Sequence, residues 1–81
     1  MTHDNAFISV HPEIHFGKPC VAGTRITVAN ILELIEAGVP LHAIVEEYYP
    51  DLTEEQVRAC IRYAIQVIHN EEYHFAMEKA A

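Results

Sequence analysis

Residues 17–38 read GKPCVAGTRITVANILELIEAG, and two periodicities meet inside them. Up to Thr27 the β-formers Cys20, Val21 and Ile26 flank Ala22 and Gly23, a hairpin signal in which Gly23 supplies the positive φ. Ala22 suits a type I′ turn poorly, so a type II turn or a bulged type I turn is expected. From Val28 onward the spacing becomes helical. Val28, Ile31, Leu32 and Ile35 fall at i, i+3, i+4 and i+7, while Asn30, Glu33 and Glu36 take the other side. Thr27 stands where an N-cap belongs, and Gly38 where a left-handed C-cap belongs. A small β-element therefore feeds directly into a helix.

Upstream, Ile8–Val10 is read as a short strand, followed by the turn punctuation of Pro12, Gly17 and Pro19. Downstream, Pro40 suits the first turn of a second helix, Leu41–Tyr49, with an apolar stripe of Leu41, Ile44, Val45 and Tyr48. Pro50 ends it, because a residue before proline avoids the helical region. Thr53 with Gln56 forms a capping box, and Glu54 and Glu55 suit the positive end of a third helix. Its expected core stripe is Val57, Ile61, Ala64, Ile65 and Ile68. If that helix continues to Met77 it runs about 36 Å, longer than its neighbours can cover, and offers Tyr73, Phe75 and Met77 to another chain.

The expected fold is mainly α: a short N-terminal β-strand and hairpin (1–27), a three-helix, helix-turn-helix-like core (28–69) and a C-terminal helical extension (70–81), all in one domain. A length of 81 residues fits a single small core, and a composition 51 % hydrophobic and 21 % charged is that of a folded chain. No apolar run approaches a membrane span of about 18 residues, and no basic, apolar leader opens the sequence, so the expected location is the cytoplasm. Cys20 and Cys60 lack metal-ligand spacing and are read as free thiols.

The net charge is -7, and its placement is uneven. The residues before 28 and after 57 each balance, so the excess lies in Glu33, Glu36, Glu46, Glu47, Asp51, Glu54 and Glu55, with no basic residue among them. Such a block repels phosphate backbones and attracts basic partners.

Catalytic readings find little support. Ser9 is the sole serine, neither cysteine has a histidine near it in sequence, and no activity is expected. The six histidines show no ligand spacing, so no metal or cofactor is expected and they are read as surface residues. The helix-turn-helix outline raises DNA binding, for which Lys18, Arg25, Arg58 and Arg62 are the candidate contacts. Against it, the third helix opens on acids, and four cations fall short of a basic footprint. Arg25, between turn and helix, is read first as an anchor clamping carboxylates or helix-end carbonyls. Tyr48, Tyr49 and Tyr63 are read as core or rim residues.

The run from Pro12 to Ala64 resembles the small prokaryotic family known as domain of unknown function 433. The matching motif residues are Gly17, Lys18 and Pro19; Gly23, Thr24 and Arg25; Gly38; then Tyr49, Pro50, Leu52 and Thr53. The family is similar to antitoxins grouped with the VapB type, commonly encoded beside a toxin with a PIN-like ribonuclease domain. The resemblance implies a hairpin followed by a helix-turn-helix-like core, often dimeric, and brings no catalytic site. The expectation is a non-enzymatic binding module, the antitoxin of a type II pair, that neutralises a PIN-like endoribonuclease. Glu46, Glu47, Tyr73, Phe75 and Met77 are its candidate partner contacts, and Gly17, Pro19, Gly23, Thr24, Arg25, Gly38, Pro50 and Thr53 build the frame. A dimeric DNA-binding regulator is the alternative.

Overall fold

A computed structural model describes the backbone of residues 6–80 and the side chains of residues 6–70. Its order is a short strand pair followed by three helices. Strand β1 (Ile8–Ser9) pairs antiparallel with β2 (Cys20–Val21), Ile8 opposite Val21 and Ser9 opposite Cys20. The expected hairpin is present in reduced form: its second arm touches β2 only at a bridge between Cys20 and Thr27. The sheet partner of β2 is β1, and just beyond the pair the Phe7 carbonyl accepts from the Ala22 N–H at 2.7 Å.

The turn at Ala22–Gly23 is type II in character. The Thr24 N–H donates to the Val21 carbonyl at 3.0 Å, and Gly23 sits third with φ +81°. Thr24 ties the loop down: its hydroxyl donates to the Val21 carbonyl at 2.8 Å and accepts from the Ile26 N–H at 3.0 Å. The anchor expected of Arg25 is supplied by Thr24 instead. Arg25 is exposed and has no hydrogen bond or ion pair with any other described residue.

The link between the strands takes an unusual path. His15, Phe16 and Gly17 form a 3-10 turn with φ of +51°, +58° and +83°, a left-handed turn in which two of three residues carry a Cβ. Left-handed helix costs an L-residue roughly 1–2 kcal/mol. The turn leaves Phe16 96 % exposed.

Helix α1 (Val28–Glu36) begins as expected, with Thr27 Oγ1 accepting from the Asn30 N–H at 3.1 Å. It ends in a Schellman motif: Val39 N–H donates to Leu34 O and Gly38 N–H to Ile35 O, both at 3.0 Å, with Gly38 at φ +94°. Helix α2 (Leu41–Ala43) follows, with Pro40 at its N-cap, one position before the expected first turn.

The second helix then departs from expectation. Its last turn, Ile44–Tyr48, is a π-helix, closed by the Tyr49 N–H on the Ile44 carbonyl at 2.8 Å. One extra residue in the turn puts Tyr49, not Tyr48, below Ile44. Tyr49 accordingly packs partly buried on the core, while Tyr48 is 49 % exposed.

Helix α3 (Glu54–Ala80) opens on the capping box: Gln56 N–H donates to Thr53 Oγ1 at 3.2 Å, and Thr53 N–H to Gln56 Oε1 at 2.8 Å. Of the five residues expected in its core stripe, only Val57 belongs to the buried core, and Ala64 is half-buried. Val57, Ala59 and Cys60 are fully buried, but Ile61 is half-buried and Ile65 and Ile68 are half exposed. The buried row runs through Val57 and Cys60 toward Tyr63, Ala64 and Val67, about a quarter-turn from the isoleucine row. The core is closed by Val21, Val28, Ile31, Ile44 and Leu52. α3 passes residue 70 without a break.

Candidate partner interface

All seven acids of the central block are exposed: Glu33 and Glu36 on α1, Glu46 and Glu47 in the π-turn, Asp51 in the connection, and Glu54 and Glu55 in the first turn of α3. The apolar faces of these elements turn to the core and leave six of the seven acids without a basic partner among the described residues. The one ion pair among the described residues is Arg62 with Glu55 at 3.9 Å, both well exposed, which is worth little in water. Glu46 and Glu47 gain a specific setting from the π-turn, since such turns mark functional positions more often than regular helix does. Tyr48, turned outward by that geometry, stands beside them. Sequence spacing could not find this, because a π-turn has no periodic signature of its own. The side chains of Tyr73, Phe75 and Met77 lie outside the described residues.

The four candidate cations are divided between different settings. Arg58 and Arg62 are exposed one turn apart on α3, with Arg62 partly answered by Glu55. Arg25 lines a hollow of about 490 Å³ with Ser9, His11, Ile14 and Thr24. Lys18 stands at the edge of a second, apolar groove of about 340 Å³ between the β-element, α1 and α3. Pro19, Val28, Leu32, Tyr63, Val67 and Ile68 form its walls. The sequence held this groove only indirectly, as apolar residues in excess of what one stripe requires.

Neither cysteine is set up as a nucleophile. Burial pushes the Cys60 thiol from 9.0 up to about 11, which keeps it protonated. The Cys20 thiol is buried and donates to the Lys18 carbonyl at 3.5 Å. Among the described residues, no group of three histidine, cysteine, aspartate or glutamate side chains could hold a metal ion, and no helix is long and apolar enough to cross a membrane.

No curated protein and no solved structure matches the chain. A family model described as a protein of unknown function does match, over residues 8–64, a span that begins at β1 and takes in the turns, α1, the π-turn and the packed half of α3. With most of its length and every buried residue among those described inside that match, the chain belongs to the DUF433 family.

Proposed function

We propose that this protein is a non-enzymatic binding module, the antitoxin of a type II toxin-antitoxin pair, which neutralises a PIN-like endoribonuclease by direct contact. The observation that carries the reading is the block of seven exposed acids from α1 to the start of α3, six of them without a basic partner among the described residues. A nuclease that binds RNA presents a positive groove, and a surface of this sign competes for it and speeds encounter. The π-turn, with Glu46, Glu47 and Tyr48 side by side and exposed, is the centre of the contact. An aromatic flanked by acids is a suitable anchor against a basic site.

The experiment is co-expression with the protein encoded beside it. Co-elution of the two, with relief of the growth arrest the neighbour causes, is the expected result. Glu46→Lys with Glu47→Lys should abolish both while the melting temperature holds. A neighbour that neither binds nor arrests growth overturns the reading.

A second reading is a dimeric DNA-binding regulator, favoured by the exposure of Arg58 and Arg62 on one face of α3. It requires operator binding that falls steeply with salt and is lost in Arg58→Ala with Arg62→Ala. Binding that survives both changes excludes it.

A further inference from the structure

Arg25 has no task in the fold. The hydroxyl of Thr24 ties the turn down by two hydrogen bonds, and Arg25, exposed beside it, has no hydrogen bond or ion pair among the described residues. The sequence holds 12 Asp and Glu against 5 Lys and Arg, so a cation that meets no carboxylate is out of keeping with its own chain. The hollow that it lines gives the reason: Ser9, His11, Ile14, Ala22, Gly23 and Thr24 complete the wall, and none of them is acidic.

Other donors in that wall are as free as Arg25. Neither the Ser9 hydroxyl nor the His11 imidazole makes a hydrogen bond with any described residue, and the backbone N–H groups of Gly23 and Arg25 have no acceptor there either. They come from three segments: Ser9 from β1, His11 from the turn that follows, and Gly23 and Arg25 from the loop after β2. Each segment is held by bonds of its own. β1 pairs with β2, the Ile14 N–H donates to the His11 carbonyl at 3.0 Å, and Thr24 fixes the loop. A frame set before binding gives up little freedom when a ligand arrives.

We propose that this hollow is a binding site for a small organic carboxylate, whose two oxygens meet the Arg25 guanidinium fork and accept from the His11 imidazole and the Ser9 hydroxyl. A guanidinium matches a carboxylate in both plane and spacing. Net charge narrows the class further. Arg25 is the one fixed positive charge in the wall, and a single carboxylate balances it, whereas a phosphomonoester dianion adds unbalanced charge to a chain already at -7. The volume of about 490 Å³ exceeds the carboxylate alone and lies in the range of small-molecule sites, so the ligand brings an apolar body, for which Ile14 and Ala22 supply the contact. The site draws on none of the seven acids of the central block and does not rest on the antitoxin reading.

Nuclear magnetic resonance titration of the full chain with isobutyrate and with benzoate should give saturable shifts at Ser9, Gly23 and Arg25. Isobutyramide, the neutral counterpart of the first acid, should bind at least tenfold more weakly. Arg25→Gln should weaken isobutyrate at least tenfold at an unchanged melting temperature, since the side chain is exposed and has no bond in the fold to lose. Arg25→Lys keeps the charge without the fork and should recover only part of the affinity. Inorganic phosphate and a short peptide with a free C-terminal carboxylate test the neighbouring chemistries, and both should bind more weakly than the two acids. Absence of saturable shifts with isobutyrate and benzoate, equal binding of isobutyramide, or full affinity in Arg25→Gln would each overturn the proposal. So would phosphate or the peptide binding more tightly than either acid.

Discussion

The two halves of α3 share one backbone geometry and have opposite supports. In the first, a capping box fixes the start, and Val57, Ala59 and Cys60 are sealed at 0 % exposure. In the second, beginning near Ile65, the isoleucines are half exposed. Helical propensity alone does not distinguish them. Contact with α1, the π-turn and Leu52 does. Among the described residues the buried core lies within 8–64, and Ile65 and Ile68 stay half exposed beyond it.

The sharpest break of that contrast is a pair of matched substitutions. Ile44→Ala should cost about 2–5 kcal/mol, as expected for a side chain wholly inside the core, whereas Ile65→Ala in dilute solution should stay within about 0.5 kcal/mol. Denaturant melts of the two variants decide it, and equal losses would show that the core extends further along α3.

Next in size is Gly23→Val, expected to cost about 1–3 kcal/mol through its backbone at φ +81°. A Cβ at Gly23 meets nothing within 4 Å, so the cost is conformational, and Gly23→Asn should recover part of it. An unchanged melting temperature for the valine variant would refute the assigned turn.

Alkali probes the last sealed residue of the first half. The folded Cys60 thiol holds its proton to about pH 11, whereas an unfolded one loses it near 9.0. The unfolded state therefore binds fewer protons across that window, and this contribution to stability falls as pH rises from about 9 to 11. Cys60→Ala should flatten that part of the pH profile relative to wild type.

Thr53→Ala removes one cap and should cost about 1 kcal/mol. The smallest effect expected is a gain. Phe16→Gly relieves a left-handed residue whose side chain is almost wholly in water, and should raise stability by about 0.5–1 kcal/mol. A melting temperature that falls instead would show that Phe16 holds contacts its exposure does not suggest.

Much of the frame was legible because its signals are local. Thr27, Gly38, Thr53 with Gln56, and Gly23 each act within a few residues of their own position, and each occupies the expected place. Pro50 also ends the second helix where it should, with Tyr49 already out of helical backbone at φ -134°, ψ 75°. Arg25 failed as an anchor because a long cation and a short hydroxyl look alike as candidates in a loop. The narrow geometry between Val21 and Ile26 selects the hydroxyl of Thr24.

The sequence by itself determined the element order, the caps, the turn glycines and the acidic block, since periodicity, backbone allowance and charge are written residue by residue. Only the tertiary structure decided which of two apolar rows on α3 is buried, that a π-turn exchanges Tyr49 for Tyr48, and that a left-handed turn lifts Phe16 into water. Those outcomes depend on the volume left between α1, the β-element and α3, and a one-dimensional pattern does not contain that volume. Several rows can satisfy a helix, but only one fits the space.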